Sequence, residues 1–168
     1  VELLLTEAFV ASRADPAPVD ALLATVPALL DDVDDAAERQ CLRARWADQD
    51  AWQWNKGRRT GREEFARAEA VYRALDDEGA PFFARCRRAS GLAWCRWRQG
   101  DADEGVRCAR AAVDHAGDGG HVRLRAMALQ MLARMVPAVE ARSLRARALA
   151  IASSLDDEAL RLRFTRGV

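Results

Sequence analysis

The chain has 168 residues, enough for one domain or one short repeat array. Its 26 Lys and Arg balance 26 Asp and Glu, so net charge gives nucleic-acid binding no support; only a local basic face would leave room for it. Half of the residues are hydrophobic, most of them Ala and Leu with few Val, Ile and Thr, which is the composition of helices rather than strands.

In chain order, Leu4, Leu5, Ala8 and Phe9 fall at helical spacing within Glu2 to Ser12. Asp15-Pro16-Ala17-Pro18 breaks the pattern, because proline cannot continue a helix and constrains the residue before it. A second helix is expected from Val19 to Leu30, striped by Leu22, Leu23, Val26, Leu29 and Leu30, with Pro27 kinking or shortening it. The acids of Asp31 to Asp35 suit a helix N-terminus, where they accept from free amides and complement the dipole. A long helix from Ala36 to Asn55 follows, with Cys41, Leu42, Trp46, Trp52 and Trp54, then the loop KGRRTG from Lys56 to Gly61. Further helices are expected at Arg62–Asp77, Phe82–Gln99, Ala102–Ala116, His121–Met135 and Ala138–Ser154, with a last one opening after Leu155-Asp156-Asp157-Glu158. Gly79-Ala80-Pro81, Gly100-Asp101, the glycine-rich stretch from Gly117 to Gly120, and Val136-Pro137 separate them. The expectation is about nine helices and no strand.

Internal repetition organises this series. Leu75-Asp76-Asp77-Glu78 recurs 80 residues later as Leu155-Asp156-Asp157-Glu158, and a similar helix end lies midway at His115-Ala116-Gly117-Asp118. Ala66, Ala70 and Ala74 overlay on Gly105, Ala109 and Val113, and these on Ala141, Arg145 and Leu149, in steps of 39 and 36 residues. Two helices per period near 36 to 40 imply a right-handed α-solenoid in which stacked neighbours share a continuous core. Residues 1–168 then form one domain: an N-terminal helix pair (1–35), units at 36–80, 81–118 and 119–155, and the start of a further or capping helix at 156–168.

The best-preserved unit has Ala89, Leu92, Ala93, Gly100-Asp101, Gly105, Ala109 and Ala112. It resembles the tetratricopeptide repeat family, with Leu-Ala in helix A, Gly-Asp at the turn and small residues along helix B. Arg96 departs from the pattern, since an aromatic is usual there; in the third unit Val136-Pro137 replaces the turn and Arg145 an apolar residue. Divergent units of this kind resemble those of bacterial signalling proteins, beside the output domains of transcription regulators and diguanylate cyclases. The resemblance implies a regulatory module that binds a protein or peptide. It also implies that the inner wall is lined by one face of each A helix, here Arg87, Ser90, Trp94, Trp97 and Arg98.

Those residues have their own chemistry. Trp94 and Trp97, three apart, share one side of a helix, and Arg87 and Arg98 flank them. Aromatic faces beside guanidinium groups suit a peptide, a carboxylate or a planar ligand. Trp52 and Trp54 point opposite ways, so one of them, with Trp54 the candidate, joins the groove. Lys56, Arg58, Arg59 and Arg62 form the most basic patch, suited to a phosphate or an acidic peptide, or simply to a helix C-terminus. Asp114, His115, Asp118 and His121 surround a turn without the convergence that a metal demands, so no metal or other cofactor is expected. Cys108 and His115 lie two helical turns apart, beyond hydrogen-bond reach for a catalytic pair, and the paired acids read as caps. A binding module rather than an enzyme is therefore expected.

Four cysteines without a CxxC pair read as free thiols of a reducing compartment. No run approaches the ~18 apolar residues that span a bilayer, and VELLLTEAF lacks a basic leader and cleavage site, so a cytoplasmic protein without membrane partners is expected. The start at Val1 and the end in FTRGV lead to the expectation of a segment cut from a longer protein. Two other classes remain open: a small-molecule sensor with a pocket among Trp46, Trp54 and Trp94, and a homodimerisation array with an apolar patch on a terminal helix.

Overall fold

A computed structural model describes the backbone of residues 1–14, 19–55, 62–155 and 157–166, and the side chains of these except 12–14, 52–55, 62, 159, 163 and 166. The described residues form nine helices and no strand: α1 (Glu2–Ala14), α2 (Val19–Leu30), α3 (Ala36–Asn55), α4 (Arg62–Arg73), α5 (Phe82–Arg98), α6 (Ala102–Asp118), α7 (Val122–Leu132), α8 (Ala138–Ser154) and α9 (Glu158–Arg166). Each helix packs on its neighbours in sequence, and α1 and α5 also reach α3. The chain is therefore all-α. Its core runs from helix to helix through residues shared by adjacent clusters. Trp46 packs against both the α1–α3 and the α3–α5 clusters, and Leu92 joins the latter to the α5–α9 cluster.

Proline does not break α2. Pro27 lies inside the helix and has no N–H to give the carbonyl of Leu23, four residues back. Leu23 is buried, so its carbonyl needs another donor. The indole Nε1 of Trp46 donates to it at 3.0 Å. A residue of α3 thus completes the ladder of α2 and ties the two helices together.

Two helix ends use one device twice. At the end of α5, Gly100 takes φ 93°, its N–H donates to Trp97 O at 3.1 Å, and the next N–H, of Asp101, donates to Arg96 O at 3.0 Å. At the end of α6, Gly120 takes φ 63°, and Gly120 and His121 donate to Gly117 O and Ala116 O at 3.0 and 3.2 Å. Glycine is needed at both positions because a side chain is strained at such φ. The following residue then caps the next helix: Asp101 accepts from the Glu104 N–H at 3.3 Å and His121 Nδ1 from the Leu124 N–H at 3.2 Å. Asp35 and Asp157 cap α3 and α9 in the same way, accepting at 2.8 and 2.9 Å.

Several sequence expectations shift. Helix α4 ends at Arg73, short of Asp77. Asp77 lies beyond the helix and binds the Arg88 guanidinium at 2.9 Å, whereas its counterpart Asp157 is a cap. Helix α6 continues through Gly117 and Asp118, and α7 stops at Leu132. The expected overlay of α4 is out of register. Ala66, Ala70 and Ala74 are exposed, and Phe65, Ala68, Glu69, Tyr72 and Leu75 are buried. The burial pattern Phe65, Ala68, Glu69, Tyr72 recurs 40 residues on as Gly105, Cys108, Ala109, Ala112, and 36 residues further as Ala141, Leu144, Arg145, Ala148, where only Arg145 is half-exposed. Alanine misled the first overlay because it is as much at home on a solvent face as in a helix contact.

Candidate functional site

Helix α5 is set in place by close contacts on two sides. A Cβ on Gly91 would meet the ring of Tyr72 at 2.3 Å, and one on Gly105 would meet Trp97 Cβ at 2.9 Å. The two glycines let α4 and α6 approach α5 more closely than any side chain would allow. Arg96, unexpected beside the repeat pattern, has a partner here. Its guanidinium lies 2.7 Å from the carboxylate of buried Glu69, which also holds Arg73 at 2.7 Å and accepts from Gln99 Nε2 at 2.6 Å.

The remaining face of α5 presents Phe83, Arg87, Ser90, Trp94 and Trp97, all half-buried, and Arg98, which is exposed. The expected groove residues of this helix are thus brought together. The rings of Trp94 and Trp97 lie 5.6 Å apart, tilted by 39°. The Arg98 guanidinium sits 5.1 Å from the centre of the Phe65 ring and 5.5 Å from that of Trp94. It makes no ion pair among the described residues. The indole Nε1 of Trp94 is buried and has no hydrogen-bond partner there either.

Arg87 has a different position. Its guanidinium lies 3.0 Å from the Asp48 carboxylate of α3 and over the Phe83 ring at 5.2 Å. The Tyr72 hydroxyl donates to the same carboxylate at 3.0 Å. Burial first, and then the charge of Asp48, push the Tyr72 phenol well above its ordinary range, so it stays protonated and donates. Asp48 therefore ties α3, α4 and α5 together, and Arg87 braces the groove while Arg98 faces out of it.

Trp46 is a packing residue whose N–H is taken by Leu23. The side chains of Trp54 and Arg62, and residues Lys56, Arg58 and Arg59, lie outside the described residues. Phe65 and Tyr72 are inward-facing by their spacing in the sequence, and both are buried, but nothing in the sequence ties them to this face; Phe83, Asp48 and Gly91 escaped the sequence reading. Gly91 alone left a signal, as an isolated glycine inside a helical pattern, which often marks a close approach.

The chemistry of this face is one-sided. It holds a buried, unpartnered indole N–H and an exposed guanidinium, set among the rings of Phe65, Phe83, Trp94 and Trp97. Such a surface complements a carboxylate or carbonyl next to an apolar or aromatic side chain. The thiols are held toward their protonated, less reactive form. Burial raises Cys86 to about 11 and Cys95 to about 12, and Cys41 and Cys108 are also raised, first by burial.

Two cavities lie elsewhere. One of 620 Å³ runs between α6, α7 and α8 and is crossed by the Arg110–Glu140 ion pair at 2.7 Å. One of 240 Å³ is lined by Gln130, Arg145, Ala146, Leu149, Phe164 and Thr165. Neither touches Trp46 or Trp94. On α1, Leu3 and Val10, seven residues apart, are exposed apolar residues on the first helix. No helix among the described residues is long and apolar enough to cross a membrane.

No protein-family model matches the chain, and no curated protein is significantly similar to it.

Proposed function

We propose that the chain is a right-handed solenoid of antiparallel helix pairs, similar to tetratricopeptide repeats, and that it binds a protein partner through a peptide segment laid along the face of α5. The recurrence of buried positions from α4 to α6 to α8 supports the solenoid, as does packing between helices adjacent in sequence. The module is a regulatory part of a larger cytoplasmic bacterial signalling protein, of the transcription-regulator or diguanylate-cyclase type, and is not itself an enzyme.

One observation carries the binding assignment: an unpartnered Trp94 N–H beneath an Arg98 guanidinium that has no counter-ion among the described residues. The buried indole donor is costly to leave unpaired, and the exposed guanidinium is free to meet an anion. A peptide meets both with backbone carbonyls and an acidic side chain, while its apolar residues cover Trp94 and Trp97.

The test is selection of peptides from a random display library on the 168-residue chain, followed by calorimetric affinities. Selected peptides should be acidic and contain an aromatic or branched residue. Trp94→Ala with Arg98→Ala should weaken them by about 100-fold or more, as expected for two anchor residues of these types, with the helical circular-dichroism signal retained. Peptides that bind the double variant as tightly as the parent would refute the groove.

A further inference from the structure

A second polar group lies buried without a partner, away from the tryptophan face. Gln130 of α7 is 6 % exposed, and neither its amide oxygen nor its amide nitrogen has a hydrogen-bond partner. Leaving both ends of a buried amide unpaired is costly. Gln130 lines the 240 Å³ cavity between α7, α8 and α9, and so does Arg145, whose Nε is likewise buried and unpartnered.

The repeat accounts for the polar character of this cavity. By the recurring burial pattern, Arg145 in α8 stands where Ala109 stands in α6, and Ala109 is fully buried in a close helix contact. A long cation in place of a small core residue gives the gap a polar wall. Ala146, Leu149 and Phe164 supply the apolar walls. Thr165 Oγ1 donates to the carbonyls of Arg161 or Leu162, each at 3.1 Å, and so turns only lone pairs toward other groups.

We infer that this cavity is a binding site for a small carboxylate with an adjacent N–H donor and a short apolar tail, the chemistry of an N-acylated apolar amino acid. The Arg145 guanidinium and the Gln130 amide nitrogen donate to the carboxylate. The Gln130 amide oxygen accepts the ligand N–H, which a plain carboxylic acid lacks. The tail packs on Leu149 and Phe164. The volume admits one such molecule and excludes a folded segment of chain. The inference uses none of the residues of the α5 groove and stands or falls apart from it.

N-acetylleucine is the probe, titrated into the isotope-labelled chain and followed by the side-chain amide resonances of Gln130. These should shift saturably. Isocaproate, without the N–H, and N-acetylleucinamide, without the charge, should each bind at least about 10-fold more weakly. Gln130→Leu, of similar volume, should lose binding by a similar factor while the free protein melts at the same temperature or higher. Arg145→Met, at a half-exposed position, should weaken N-acetylleucine and leave N-acetylleucinamide unchanged. Absence of the shift, equal binding of all three probes, or unchanged affinity in either variant would overturn the inference. So would a lower melting temperature for Gln130→Leu, because it would mean that the amide is already satisfied in the free fold.

Discussion

At the scale of single residues, this protein corrects its own irregularities with side chains from elsewhere. Pro27 deprives Leu23 of its helical partner, and Trp46 supplies another at 3.0 Å. Trp46→Phe keeps most of the ring and removes the N–H, leaving a buried carbonyl unpaired. It should cost about 1–2 kcal/mol, measured by urea denaturation. In a Pro27→Ala background the residue-27 amide reaches the same carbonyl, so the cost of Trp46→Phe should fall by about 1 kcal/mol, to what the lost ring packing contributes. Equal costs in the two backgrounds would show that the indole contributes by packing alone. None of this pairing was legible in the sequence, where Pro27 reads as a kink and Trp46 as one more aromatic. A carbonyl's need for a donor is local, but the donor comes from 19 positions beyond the proline.

At the scale of elements, the contacts of α5 separate two kinds of helical glycine. Gly91 and Gly117 both lie inside helices, and alanine is intrinsically better there by about 1 kcal/mol. At Gly117 a Cβ meets nothing within 4 Å. Gly117→Ala should therefore raise stability by about 0.5–1 kcal/mol. At Gly91 the Cβ would fall 2.3 Å from a buried Tyr72 ring held by its hydroxyl to Asp48 at 3.0 Å. The ring cannot step aside without breaking that bond, so overpacking outweighs propensity. Gly91→Ala should lower stability by about 1–3 kcal/mol. Thermal melts of the two variants side by side check the sign, and a stabilised Gly91→Ala would mean that α4 and α5 are not packed as described. Helix existence was readable from apolar spacing throughout. Which small residues mark a contact was not, because Ala66 and Ala109 are the same residue type on opposite faces.

At the scale of the whole molecule, the buried thiols couple the core to alkaline pH. Cys86 stands at about 11 and Cys95 at about 12, both above the ordinary value of 9.0 and both because of burial. In the unfolded chain these thiols ionise near the ordinary value, so there the folded state holds the extra protons. The stability that they contribute is complete below about pH 9 and is lost as pH rises through the folded values. Denaturation midpoints should fall between about pH 9 and 12, and Cys86→Ala with Cys95→Ala should flatten that part of the profile. An identical fall in the double variant would place the loss in other groups, such as Tyr72.

What the sequence determined by itself was the class of the molecule. Period-3.6 apolar spacing, alanine-rich composition, acidic caps and glycine turns are local, and local physics suffices to set which stretches are helical, although α4, α6 and α7 end away from where the sequence alone puts them. It also gathered Trp94, Trp97 and Arg98 on one side of α5, because residues three and four apart on a helix must share a face. Tertiary structure decided what those residues are free to do. Arg87 and Arg98 look alike in the sequence, yet Asp48 of α3 neutralises the first, while the second rests on Phe65 of α4 with its charge unpaired. Gln130 and Arg145 lie 15 residues apart on different helices, and only packing makes them two walls of one cavity. Charge, donors and volume are properties of the residue, but whether they are spent or available depends on neighbours that the chain brings together only when it folds.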